Sequence, residues 1–186
     1  MKINLKIKKY FEKKDKLIEL NRFLDNRGFF SEIYNKSILT KFGIKDSFVQ
    51  DNVSYSKKNV LRGLHFQSPP FSQSKLICVL EGRILDIIVD LRKKSKTFGQ
   101  YKSFDISSKK LSLLYIPHYF AHGFIVKSKS AIVHYKVSKQ YSPKHEKTLL
   151  WSDKNIGINW KISNENIVIS SKDKQGISLN NLLSPF

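Results

Sequence analysis

The sequence predicts an all-β fold, and three observations carry that reading. Short apolar or β-branched runs follow one another along most of the chain. Clusters of Gly, Ser, Pro, Asn and Lys separate them. Inside several runs the side chains alternate at the two-residue period of a strand. A helical turn or two fits near 34–42, and the last dozen residues have room for another. The strand-like runs begin at 48–55 and continue with 60–66, Asn59-Val60-Leu61-Arg62-Gly63-Leu64-His65-Phe66. Ser68-Pro69-Pro70 then turns the chain into 75–81, where Leu76-Ile77-Cys78-Val79-Leu80 is apolar throughout. The run 83–91 follows, and Lys93-Lys94-Ser95-Lys96 ends it. Further strands are expected at 100–107, 111–116, 121–127, 131–137 and 166–170. Regular short strands with turns between them make a sandwich, barrel or jelly roll in one domain over residues 1–186.

Alternation assigns faces. Over 83–91 one face carries Leu85, Ile87, Val89 and Leu91, and the other Ile84, Asp86, Ile88 and Asp90. A carboxylate between isoleucines sits on a rim or lines a polar cavity. Over 131–137 Tyr135 points inward with Ala131, Val133 and Val137, while His134 and Lys136 point outward to the surface. His65 shares a face with Leu61, Gly63 and Gln67, which leaves Arg62 opposite. Both reach one site only if Gly63 introduces a bulge or twist.

The formal net charge is +19 with a pI near 9.9, which raises the prospect of an anionic partner. The lysines, however, are scattered as short pairs and form no stripe, so a nucleic-acid partner is not expected. Only five of the 34 basic residues are arginine. Arg27 and Arg62 each precede a glycine, where backbone approaches a ligand closely and a planar fork can grip a diphosphate. Cys78 is the only cysteine, so no internal disulfide forms, and an inert buried thiol in a reducing compartment is expected. No apolar run approaches the ~20 residues of a membrane span. The first twenty residues mix charged with apolar types, unlike a signal peptide or anchor. A cytoplasmic location is expected.

The most informative chemistry lies at His65, a titratable imidazole in a run otherwise suited to burial. An imidazole next to a carboxylate and shielded from water can act as a general base at neutral pH. Metal-dependent relatives of such folds need about three imidazoles and a carboxylate, often beginning with His-x-His. Gln67 stands two residues after His65, so that pair is broken and no metal is expected.

A set of motifs runs in order along the chain: Asp25-Asn26-Arg27-Gly28-Phe29-Phe30-Ser31-Glu32, Phe48-Val49-Gln50-Asp51-Asn52, Val60-Leu61-Arg62-Gly63-Leu64-His65-Phe66-Gln67, Lys75-Leu76, and Val89-Asp90-Leu91-Arg92. Then come Ile116-Pro117 with Ala121-His122-Gly123-Phe124, Tyr135-Lys136, Tyr141-Ser142-Pro143 and Ser171-Lys172-Asp173. Together they resemble the dTDP-4-dehydrorhamnose 3,5-epimerase family over nearly the whole chain. The resemblance implies a cupin-like double-stranded β-helix jelly roll with short flanking helices. It also implies a homodimer with an N-terminal strand exchanged between subunits. The implied reaction is cofactor-free epimerisation of a dTDP-linked 4-keto-6-deoxyhexose at C3 and C5. By the same resemblance His65 is the base, Asp173 its partner, Tyr135 the opposite-face acid and Lys75 the enolate stabiliser. Arg27 and Arg62 would hold the diphosphate. Phe30, Glu32, Gln50, Asn52, His122, Tyr141 and Lys172 match positions lining the pocket. His118 and Tyr119 depart from the Glu and Gly usual there, and Lys161 replaces a common proline after Trp160. A monofunctional 3- or 5-epimerase on another dTDP-4-keto-6-deoxy sugar, or a metal-dependent cupin isomerase or dioxygenase, stays open from the sequence.

Overall fold

The run 83–91 is apolar on both faces because it becomes a strand covered on both sides. A computed structural model gives the protein's structure and describes residues 6–9 and 14–186. The expected domain of 1–186 also takes in residues 1–5 and 10–13, which lie outside the described residues. The chain begins with β1 (Lys6–Lys9), β2 (Lys16–Glu19), a hairpin of β3 (Phe23–Asp25) and β4 (Gly28–Phe30), and helix α1 (Lys36–Lys41). The body follows as β5 (Gln50–Lys57), β6 (Val60–Gln67), β7 (Lys75–Glu81), β8 (Arg83–Asp90) and β9 (Tyr101–Ser107). It continues with β10 (Ser112–Ile116), β11 (Phe120–Val126) and β12 (Ser130–Val137). The chain closes with β13 (Glu146–Thr148), β14 (Val168–Ile169) and helix α2 (Ser171–Lys174).

One sheet has the order β1-β2-β10-β7-β12-β5 and the facing sheet β13-β6-β11-β8-β9. Pairing is antiparallel except where β14 runs parallel to the start of β6. This is the double-stranded β-helix jelly roll. Between the sheets lie Ile77, Val79, Ile84, Ile88, Leu114, Phe120 and Val133. On the outer face of the second sheet Leu61, Leu85, Ile87 and Val89 meet Leu149, Ile156 and Trp160 of the C-terminal segment. On the outer face of the first sheet Ile18, Leu76, Cys78 and Leu113 are covered by Leu39 and Ile44, from α1 and just after it. Each enclosed Leu or Ile contributes about 1.5–3 kcal/mol through water released from its surface.

Asn35 caps α1 by accepting a hydrogen bond from the Ile38 N–H at 3.2 Å, and Gly43 (φ +77°) carries the chain out of it. The helical turn expected in the last dozen residues is a single 3-10 turn, Leu179–Asn181. His134 faces outward as expected, yet its side chain is only 16% exposed, because it pairs with Asp51 at 2.9 Å. Among the described residues no helix is long and apolar enough to cross a membrane.

Candidate active site

A cleft of about 350 Å³ opens between the two sheets at one end of the sandwich. The first sheet supplies Gln50, Asn52 and Ser54 from β5, Lys75 from β7, and Val133, Tyr135 and Val137 from β12. The second sheet supplies Arg62 and His65 from β6, and His122 and Phe124 from β11, with Glu146 and Tyr141 at the mouth.

Arg62 and His65 share this cleft because β6 carries the bulge that Gly63 suggested. β11 pairs His122 with His65 and Phe124 with Arg62, so two steps on β11 face three on β6. The extra residue restores parity and turns both side chains inward. Gly63 adopts φ +130°, and a Cβ there would lie 2.5 Å from the Gly123 Cα. Only glycine fits that close crossing of strands.

His65 reaches Asp173 across 108 residues of sequence, its Nε2 lying 2.7 Å from Asp173 Oδ1. The route is local. β14 pairs with Val60 and Leu61, which delivers α2 beside Gly63. Ser170 caps α2 by accepting from the Asp173 N–H at 3.1 Å, and the Gly63 N–H donates to Asp173 Oδ2 at 3.2 Å. Burial pushes the Asp173 carboxyl up, but the His65 and Gly63 hydrogen bonds and nearby Lys172 outweigh it and hold the group below its ordinary value. His65 itself stays 32% exposed, open to the cleft.

Tyr135 stands on the other sheet. Among the described residues no protein group hydrogen-bonds its hydroxyl, which leaves that atom to the cleft. Burial raises its phenol above the ordinary range, so it carries its proton at neutral pH. Lys75 is buried, and its Nζ donates to the His65 carbonyl at 3.0 Å. Burial brings its ammonium down to about 8, with Asp86 and Glu146 opposing the shift. An imidazole and a phenol thus come from facing walls of one cleft, with an enclosed ammonium between them and the core.

The remaining expected residues divide. Arg62 is braced by Ser56 Oγ at 2.9 Å and the Tyr55 carbonyl at 3.4 Å. Gln50 donates to Asn52 Oδ1 at 2.8 Å and accepts from the Tyr141 N–H at 3.0 Å. The Tyr141 hydroxyl donates to Glu146 Oε2 at 2.6 Å, and Lys172 pairs with the same oxygen. His122 is buried, with Nε2 2.9 Å from Asp86 Oδ2. Arg27, Phe30 and Glu32 do not join them within this chain. Arg27 lies exposed beside Asp25, and Phe30 is 68% exposed on the β3–β4 hairpin. Glu32 borders a separate hollow between the hairpin and α1. Sequence reasoning missed Glu146, Ser54 and Phe124, and left Asp86 between rim and cavity. Alternation on β8 and β11 points Asp86 and Phe124 inward, whereas nothing local marks Glu146. Among the described residues no group of three or more His, Cys, Asp or Glu could hold a metal ion.

Comparisons with known proteins converge on one family. The family model of dTDP-4-dehydrorhamnose 3,5-epimerase matches residues 13–181. The enzyme of that name from Salmonella typhimurium is 47% identical over 148 residues, covering 79% of this chain and 81% of its own. The Bacillus anthracis dTDP-4-dehydrorhamnose 3,5-epimerase, solved with TDP and pyrophosphate bound, superposes with a TM-score of 0.90 at 43% identity, over 94% of this chain and 99% of its own. The Legionella pneumophila dTDP-6-deoxy-D-glucose-3,5-epimerase, solved in complex with dTDP-4-keto-L-rhamnose, gives 0.91 at 38% identity, over 95% and 94%. Sequence and fold agree, and the chain belongs to the dTDP-4-dehydrorhamnose 3,5-epimerase family.

Proposed function

We propose that this protein inverts C3 and C5 of dTDP-4-dehydro-6-deoxy-D-glucose, without a cofactor, to give dTDP-4-dehydro-L-rhamnose. The observation that carries the reading is the placement of His65 and Tyr135 on facing sheets of one cleft. The C4 ketone acidifies the C–H bonds at C3 and C5. His65 removes one of these protons, and Asp173 holds the ring and stabilises the imidazolium that results. The electron pair moves onto the C4 oxygen, where the Lys75 ammonium meets the developing enolate. Tyr135 returns a proton from the opposite face, and the carbon inverts. Arg62 takes the diphosphate, while Tyr141 and Lys172 hold the nucleotide side of the mouth together with Gln50 and Asn52.

The working unit is a homodimer of single-domain chains in the cytoplasm. Leu24, Phe29 and Phe30 on the hairpin and Val49, Val53 and Tyr55 on β5 and just before it are all more than half exposed, an apolar surface that supports association. Arg27, Phe30 and Glu32 point away from their own cleft, and a second copy gives them a cleft to complete. Incubation with dTDP-4-keto-6-deoxyglucose in D2O, read by NMR, tests the reaction. Deuterium at both C3 and C5 with inversion at both is expected. Label and inversion at one carbon alone would make the enzyme a monoepimerase, and no label would refute the reading.

A further inference from the structure

We infer that Asp86 is a positioning residue that holds His122 as the Nε2–H tautomer, so that Nδ1 offers a lone pair to a hydroxyl of the bound hexose. The inference rests on the hexose-binding reading of the cleft and adds to it a group outside the set the sequence suggested. Asp86 lies on β8 directly opposite Phe124, and His122 two residues earlier on β11 is opposite His65. Both side chains are enclosed, Asp86 at 0% exposure and His122 at 8%. Asp86 Oδ2 stands 2.9 Å from His122 Nε2, and an ionised carboxylate can only accept there. With Asp86 ionised, the proton is on Nε2. Burial disfavours the charged ring, which leaves the imidazole neutral. Burial pushes the Asp86 carboxyl above its ordinary value, while the bond to His122 and the charge of Lys75 oppose that rise and favour the carboxylate. Its second oxygen, Oδ1, has no hydrogen-bond partner among the described residues, so nothing competes to turn the group away from His122.

Nδ1 is then the free end. Among the described residues no protein donor meets it, and the ring lines the cleft. A bare imidazole nitrogen accepts a hydrogen bond and cannot donate one, so it selects an O–H and rejects a carbonyl oxygen. This gives the cleft a division of labour. Lys75 answers the C4 oxygen as a donor, and His122 answers a neighbouring hydroxyl as an acceptor. The ketone and the hydroxyl are thereby told apart before any proton moves.

The test begins with 15N NMR of uniformly labelled wild-type enzyme, with the His122 signals assigned from a His122→Gln variant. The unliganded enzyme should show His122 neutral, protonated at Nε2 and bare at Nδ1. Adding dTDP-glucose to saturation should move the Nδ1 resonance upfield as it accepts a hydrogen bond. Asp86→Ala should raise KM about tenfold with kcat within about threefold, the loss expected for one hydrogen bond. Asp86→Asn keeps an acceptor oxygen and should recover most of that KM. A His122 proton on Nδ1, a charged ring, or an Nδ1 signal unmoved by dTDP-glucose overturns the inference, whether or not the Asp86 variants fold. An unchanged KM in a folded Asp86→Ala enzyme overturns it as well. Wild-type enzyme that leaves the keto sugar unlabelled in D2O refutes the epimerase reading instead, and the tautomer measurement stands apart from it.

Discussion

Replacing Lys75 by Met removes a charge while keeping the length of an enclosed side chain. In the wild type the ammonium is anchored to the His65 carbonyl at 3.0 Å and shielded from water, so it is preorganised to meet negative charge on the sugar. A preorganised donor to a developing oxyanion contributes roughly 3 kcal/mol, or about 10²-fold in kcat. Because burial brings this ammonium down to about 8, the wild-type rate should fall as pH rises through that region and the ammonium loses its proton. The stability effect has the opposite direction. Between about 8 and the ordinary lysine value of 10.5 the unfolded chain keeps a proton that the folded one has released. This group therefore makes the fold more stable as pH rises across that window. The assay is kcat/KM from pH 6 to 10 for both enzymes, with thermal melts at each pH. Lys75→Met should lose about 10²-fold near pH 7, and its profile should lack the alkaline fall near pH 8. A Met variant within tenfold of wild type, or one that keeps the alkaline fall, would refute the role given to Lys75.

Four further outcomes are expected. His65→Ala should lose about 10²–10⁴-fold in turnover while still binding dTDP, as measured by steady-state rates and calorimetry. Tyr135→Phe should impair inversion more than deuterium wash-in from solvent, because abstraction on one face does not need the acid on the other. Gly63→Ala combines a positive φ with a Cβ 2.5 Å from Gly123, and should destabilise the fold by roughly 3 kcal/mol in a urea titration. Arg27→Ala should weaken kcat/KM although Arg27 lies outside its own cleft. Mixing it with an Arg62→Ala chain should restore activity through hybrid dimers with one intact cleft.

The strands of the two facing sheets were legible wherever one or both faces are buried. β5 to β12 all begin and end within two residues of the expected runs; in β6 to β12 the enclosed faces demand those residues, whereas on β5 Val53 and Tyr55 are more than half exposed. Among the shorter elements, β14 falls inside the expected run 166–170, but β2, the hairpin and β13 carry no such pattern. β2 is four residues, Lys16-Leu17-Ile18-Glu19, with a charge at each end, and the hairpin leaves Leu24 and Phe29 in the open, so neither reads as a strand. β13 is three residues, too few to alternate. The bulge at Gly63 followed from asking how Arg62 and His65 could share a cleft, and the register shift answers it. Asp173 is different. Its place beside His65 depends on β14 running parallel to β6, and no local pattern predicts a pairing between segments more than a hundred residues apart. The family motif pointed to it; the alternation could not. Glu146 was missed for the same kind of reason, since its partners Tyr141 and Lys172 meet only after the chain has turned back over the cleft mouth.

Past Lys75 the inward face of β7 continues with Ile77 and Val79, both enclosed, so the cleft ends against solid core. A pocket closed at its far end has a single doorway, and whatever trails the sugar must fill that doorway during the reaction. A hexose inverted at only one carbon is therefore corked in by its own nucleotide. How often it escapes half-finished depends on the grip of the doorway residues, which never touch the carbons being inverted.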